Sequence, residues 1–327
     1  MNTRNMFYPQ RMIRQISEIS YVGGFKLIRM SNDREGETGI TIPLQYNNAI
    51  HRKDMQGVFG HLVQRYVHSM VPQRPTVFLA PSSDYPDGQY EEEYTCKPPA
   101  IAMIIISILE ITLFLYDVIT HRSISIEGPA ATLFIYNPHK RYQAWRYLTY
   151  MFVHVGTFHL VVNLLVQIML GIPLEMVHKW WRVLTIYIAG VVAGSLGTSV
   201  SDPGVYLAGA SGGVYALITA HVATIVMNWS QMEFAVMQLL VFLVVTSFDI
   251  GQAIYNRYVL EKNDQVGYVA HFAGAIAGLL VGINVLRNLE VRTWEKVVWW
   301  ASIITYVALM TAAILWNVLY TSYYDQL

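Results

Sequence analysis

From residue 99 onward, long apolar stretches alternate with short polar connections. Seven of them come close to or exceed the roughly 20 residues a helix needs to cross a hydrocarbon core. They cover 100–120, 147–171, 183–200, 206–227, 234–252, 266–286 and 297–320. A backbone exposed to lipid must satisfy its own hydrogen bonds, so such spans are helices. The pattern predicts an all-α, polytopic membrane protein with seven spans.

Residues 1–97 follow a different pattern. They carry about half of the chain's charges, an acidic run at Glu91-Glu92-Glu93, and turn-forming clusters such as Ser83-Asp84-Tyr85-Pro86-Asp87-Gly88. Short apolar patches at Ile13–Ile19 and Gly57–Val67 are candidates for small helices. The composition changes at Cys96-Lys97-Pro98-Pro99, dividing an N-terminal region, 1–97, from a membrane domain, 98–322. Scattered arginines interrupt residues 1–30, so no secretory signal is expected there and an internal span should begin membrane entry.

Composition narrows the partners. Of 327 residues, 54% are hydrophobic and 13% charged, about half the ~25% charged share of soluble domains. The formal net charge is zero, which removes the electrostatic basis for nucleic-acid binding. The partner implied is the lipid bilayer. A single cysteine, Cys96, excludes an intramolecular disulfide. Basic residues in short loops set orientation. Lys179 and Arg182 follow the second span, and Arg287, Arg292 and Lys296 follow the sixth. These loops share one side with the N-terminus, which is therefore expected in the cytosol, although Arg122, Lys140, Arg141, Arg257 and Lys262 fall opposite. On this topology the sequon Asn228-Trp229-Ser230 is cytosolic and unmodified.

Polar residues inside spans cost a few kcal/mol each and need a reason. Gly209-Ala210-Ser211-Gly212-Gly213 lies near the lumenal end of the fourth span, where water can reach a serine. Small residues of this kind also serve plain helix packing. His271 lies in the first turns of the sixth span, entering from the same side. Gly274, Gly278 and Gly282 continue its helical face and would let a neighbouring small-residue helix approach closely. The second span holds His154, His159 and Asn163. His159 and Asn163 share a face at i, i+4, whereas His154 points about 140° away. Two donors on one face suit an oxyanion; interhelical hydrogen bonds are the alternative. No ligand set for a metal is completed, and no cofactor is expected. Asp249, near the lumenal end of the fifth span, could assist a base or simply be solvated. For Glu110, Glu175, His178 and His221 a snorkelling, interfacial or packing role suffices. Trp145-Arg146 reads as an interfacial anchor pair.

Taken together, these residues resemble the rhomboid family of intramembrane serine proteases over about residues 98–320. The resemblance rests on Trp145-Arg146-Tyr147-Leu148-Thr149, His154-x4-His159-x3-Asn163, Gly171-x3-Glu175, Gly209-Ala210-Ser211-Gly212 with Tyr215, and Ala270-His271-x2-Gly274, in that order on spans two, four and six. It implies a six-helix core plus one additional C-terminal transmembrane helix, as in the animal secretase-type rhomboids. It implies Ser211 as nucleophile and His271 as base, with Tyr215 packed on the histidine. His159, Asn163 and the Ser211 backbone N–H would hold the oxyanion, and Gly209 and His154 would support the site. Trp145, Arg146 and Glu175 match structural positions.

The expected substrates are single-span membrane proteins whose helices unwind near the lumenal or extracellular face, including EGF-type growth-factor precursors. The expected location is the Golgi, endosomal or plasma membrane. Two other readings compete. A non-proteolytic relative that binds clients for trafficking usually lacks the serine or the histidine, and both are present here. A transporter should show internal repeats with paired broken helices, and no convincing repeat is found.

Overall fold

The computed structural model describes residues 15–22, 25–31, 38–43, 66, 70, 100–121, 128–229, 232, 234–259, 267–286 and 293–320. Cys96, the acidic run, most of the Gly57–Val67 patch, Arg122, Lys262, Arg287, Arg292 and residues 321–327 lie outside them. The chain divides into two compact units, 1–57 and 58–327.

The first unit contains a three-stranded antiparallel sheet in the order β1 (Gln15–Val22), β2 (Phe25–Ser31), β3 (Thr38–Pro43). The helix expected at Ile13–Ile19 is therefore corrected: from Gln15 the chain is a strand. Its register pairs Val22 with Phe25 and Gln15 with Ser31, with an irregularity between Ile16 and Glu18. The Gly23-Gly24 connection in the sequence is a hairpin signal that outweighs the helical spacing of Ile16 and Ile19.

Among the described residues, the second unit holds seven long helices: α1 (Ile101–His121), α2 (Gly156–His178), α3 (Trp180–Ser201), α4 (Ser211–Met227), α5 (Ala235–Tyr258), α6 (Tyr268–Val285) and α7 (Thr293–Leu319). Five are long and apolar enough to span a membrane; α4 and the Ala235–Asp249 part of α5 are shorter apolar segments. The expected polytopic, helical membrane architecture is present.

Two boundaries differ from the sequence pattern. The second span starts at Gly156, not near 147. Residues 146–152 instead form two short helical turns and pack into the bundle, burying Tyr150 and Met151. A buried apolar turn of this kind reads as span in a hydrophobicity pattern. His154 consequently precedes α2, which runs on through Pro173 to His178. The fourth span starts at Ser211, because Leu207 is held in an isolated bridge with Tyr136.

Buried acids fix the helix ends. The Glu175 carboxylate on α2 accepts the backbone N–H groups of Ala102 (2.7 Å) and Met103 (3.0 Å), satisfying two orphan donors at the start of α1. Asp117 does the same for Ala130 and Ala131, opening a short helix at Pro129–Phe134. Glu110, Glu175, His178 and His221 are all buried, so none of them snorkels. Arg146 is no interfacial anchor either. It is buried, and its guanidinium donates to the Thr132 and Ile135 carbonyls at 3.0 and 2.7 Å.

The bundle is organised around α4. This short helix is buried along nearly its whole length and packs against α2, α3, α5 and α6. Without a hydrophobic drive between helices in lipid, close packing of small residues supplies the association energy. Asn228, just past its end, is buried with its amide donating to the Thr224 carbonyl, which by itself disfavours glycosylation. The additional helix α7 lies against α3 and α6 and is mostly exposed along its length.

Candidate active site

Ser211 opens α4 and is partly exposed. The chain leading to it is pinned to the segment between α1 and α2. Tyr136 and Leu207 exchange backbone hydrogen bonds at 3.0 and 3.2 Å, and the Gly209 N–H donates to the Tyr150 carbonyl at 3.1 Å. Tyr150 is anchored in turn, its hydroxyl donating to the Val191 carbonyl on α3 at 2.8 Å. Burial pushes this phenol above its ordinary value, so it acts as a neutral donor. The serine's position is thus set by backbone contacts rather than by its own side chain.

His271 lies in the first turn of α6 and is buried. A Cβ on Gly274 would collide with the Gly212 carbonyl oxygen, and one on Gly278 with the Ala216 backbone. One on Gly282 would come within 3.1 Å of the Ala220 Cα. The glycine stripe of α6 therefore lies along Gly212, Ala216 and Ala220 of α4, as its spacing suggested. The Tyr215 ring, one turn beyond Ser211, stacks on the His271 imidazole with centroids 4.6 Å apart and planes 15° apart. The serine and histidine turns are thereby brought to the same end of the α4–α6 contact. No side-chain hydrogen bond of Ser211 is found among the described residues; such contacts commonly close only when substrate binds.

His159 stands on the other side of the serine loop. Gly209 has φ +116°, a conformation that favours glycine, and a Cβ there would sit 2.6 Å from the His159 Cε1 and 2.8 Å from its Nε2. The Val155 N–H donates to His159 Nδ1 at 3.3 Å. Nδ1 thus acts as an acceptor, which leaves the ring proton on Nε2, the nitrogen facing Gly209. Asn163 is buried, one turn further along α2, and its amide nitrogen donates to the His159 carbonyl at 2.8 Å. His154 packs edge-on to His159, centroids 5.3 Å apart. Burial first, and the neighbouring His159 second, push its imidazole down to about 3, so it stays neutral.

One contact bears on the two roles that the sequence leaves open for Asp249. Asp249 on α5 places Oδ2 3.3 Å from His271 Nδ1, and the same oxygen accepts the Tyr215 hydroxyl. No spacing rule links positions so far apart on three helices; only the packing of α5 reveals it. Among the described residues no group of His, Cys, Asp or Glu could hold a metal ion.

Residues 141–288 match the Rhomboid domain. The chain is 40% identical over 238 residues to rhomboid-related protein 3 from Homo sapiens, covering 70% of this chain and 59% of that protein. It thus spans about three fifths of the length of that relative, at 59%. It is 39% identical over 236 residues to rhomboid-related protein 2 from Mus musculus, covering 70% of this chain and 78% of that protein. It is also 33% identical over 216 residues to inactive rhomboid-related protein 2 from Caenorhabditis elegans, covering 65% and 62% respectively. With this bundle and these relatives, the chain belongs to the rhomboid family and is an integral, multi-pass membrane protein.

Proposed function

We propose that this protein is an intramembrane serine endopeptidase of the secretase type, cleaving single-span membrane proteins close to one face of the bilayer. The observation that carries the reading is the stacking of Tyr215 on His271 beside the Gly212–Gly274 contact, which puts the serine turn and the histidine together within a membrane bundle. Ser211 Oγ attacks the scissile carbonyl carbon while His271 Nε2 takes the hydroxyl proton. His271 then returns that proton to the leaving amine, and water repeats the sequence to free the acyl group. The oxyanion is held by His159 Nε2–H, by Asn163 and by the Ser211 N–H. Gly209 and His154 keep this donor side in shape.

The cleaved face is lumenal or extracellular and residues 1–97 form a cytosolic region ahead of the membrane domain, 98–322. Substrates include EGF-type growth-factor precursors, met in the Golgi, endosomes or plasma membrane. Helix-destabilising residues near the cleaved face favour a substrate, because a peptide bond inside an intact helix is sequestered.

The test is co-expression with a single-span EGF-type precursor. Ectodomain should appear in the medium with the wild-type protein and vanish with Ser211→Ala or His271→Ala. Release that persists in both variants sinks the assignment. A precursor retained by the wild-type protein without cleavage supports client binding instead, the reading that a relative named inactive keeps open.

A further inference from the structure

The geometry points to Asp249 as a positioning residue for the base: its carboxylate holds His271 in the tautomer that leaves Nε2 bare toward Ser211. The inference rests on the protease reading above and goes beyond it, since a serine–histidine pair needs no third member.

Three side chains from three helices meet at one oxygen. His271 Nδ1, on α6, lies 3.3 Å from Asp249 Oδ2, at the outer edge of hydrogen-bond reach. The Tyr215 hydroxyl, on α4, donates to that same Oδ2. A carboxylate only accepts, so the imidazole proton belongs on Nδ1 whenever the ring is neutral. The Tyr215 ring, stacked at 15° on the imidazole, prevents the histidine from turning out of this plane. Asp249 thereby fixes tautomer and Tyr215 fixes orientation.

During acylation the proton leaving Ser211 Oγ arrives on His271 Nε2 as Oγ bonds to the carbonyl carbon. The imidazolium that forms carries protons on both nitrogens, and its Nδ1–H faces the Asp249 anion. The carboxylate stays ionised throughout. The same proton then moves from Nε2 to the leaving nitrogen as the C–N bond breaks. Half of the Asp249 side chain is exposed, so water screens the pair and the effect is smaller than in a buried triad.

A solvated carboxylate is the plain alternative, and it predicts no consequence for turnover. The experiment uses the full-length protein in detergent, a fluorophosphonate probe that labels an activated serine, and a single-span reporter substrate. Asp249→Asn should lower kcat about tenfold at unchanged KM and slow labelling of Ser211 in parallel. Asp249→Glu should recover at least a third of the lost rate, with unfolding temperatures unaltered. A wild-type protein that labels at Ser211, beside an Asp249→Asn variant that labels and cleaves equally fast, overturns positioning alone. A lowered KM with kcat kept or raised identifies a tether on α5 and overturns it too. A wild-type protein that neither labels nor cleaves overturns both this inference and the protease reading. If Asp249→Asn fails to fold, 15N-histidine spectra of the wild type, assigned against His271→Gln, decide: a proton on Nδ1 supports the inference and one on Nε2 ends it.

Discussion

The carbonyl oxygen of Gly212 occupies the space that any side chain on Gly274 would need. A backbone atom cannot rotate away, so Gly274→Ala must push α6 off α4. Overpacking of this kind costs about 1–3 kcal/mol, and the displacement falls three residues from His271. The variant should unfold at lower temperature in detergent and lose most of its turnover. Gly251→Ala on α5 is the control. A Cβ there meets nothing within 4 Å, and alanine in a helix gains up to about 1 kcal/mol over glycine. If both variants behave alike, the close approach of α4 and α6 is not what holds the site.

The reasons why some of this was readable in the sequence are physical. Spans follow from lipid chemistry and so are written in hydrophobicity alone. The meeting of α4 and α6 followed from small residues repeating at helical spacing on one face. The start of α2 was not readable, because Tyr150 and Met151 are buried in a turn and carry the same apolar signature as a span. Asp249 was ambiguous because solvation and base assistance ask for the same residue at the same depth. Only the distance to His271 separates them. The strand at Gln15 was missed because two isoleucines three apart fit a helix as well as an irregular strand.

Glu175 tests whether an acid within the bundle is structural. Its two oxygens accept from Ala102 and Met103, and hydrogen bonds to a charged group contribute about 1.5–3 kcal/mol each. Glu175→Ala should lower the unfolding temperature clearly, and Glu175→Gln, which keeps one acceptor, about half as much. Turnover per folded molecule should match the wild type in both. A loss of kcat without a loss of stability would assign this residue to chemistry instead.

Glu110 poses a different problem, which hydrogen inventory solves. The Tyr187 hydroxyl has one proton and gives it to Gln167 Oε1 at 2.7 Å. The second contact of that hydroxyl, to Glu110 Oε1 at 3.1 Å, then needs a proton from the carboxyl group. This inventory predicts a neutral Glu110, which two substitutions test. Glu110→Gln supplies an N–H in its place and should keep the unfolding temperature within a degree or two. Glu110→Ala leaves Tyr187 and Gln167 short of partners at a cost of about 1–3 kcal/mol. Equal losses in the two variants would mean that the acid works as an anion.

Gly209 joins local backbone strain to the proposed oxyanion site. At φ +116° an alanine is strained, at a cost of about 1–3 kcal/mol. Its methyl would also sit 2.6 Å from the His159 Cε1, so the imidazole must swing aside. That movement takes Nε2–H away from the serine loop while leaving Ser211, His271 and Tyr215 on the α4–α6 contact. Gly209→Ala should therefore lower kcat roughly a hundredfold, the usual loss for one oxyanion donor, with KM little changed. His159→Ala should fall to a similar level, and the double variant should lose little more than either single change, because both remove the same donor. Fully additive losses, measured as kcat on a single-span reporter, would show that Gly209 acts on the serine by another route and that His159 does not depend on it.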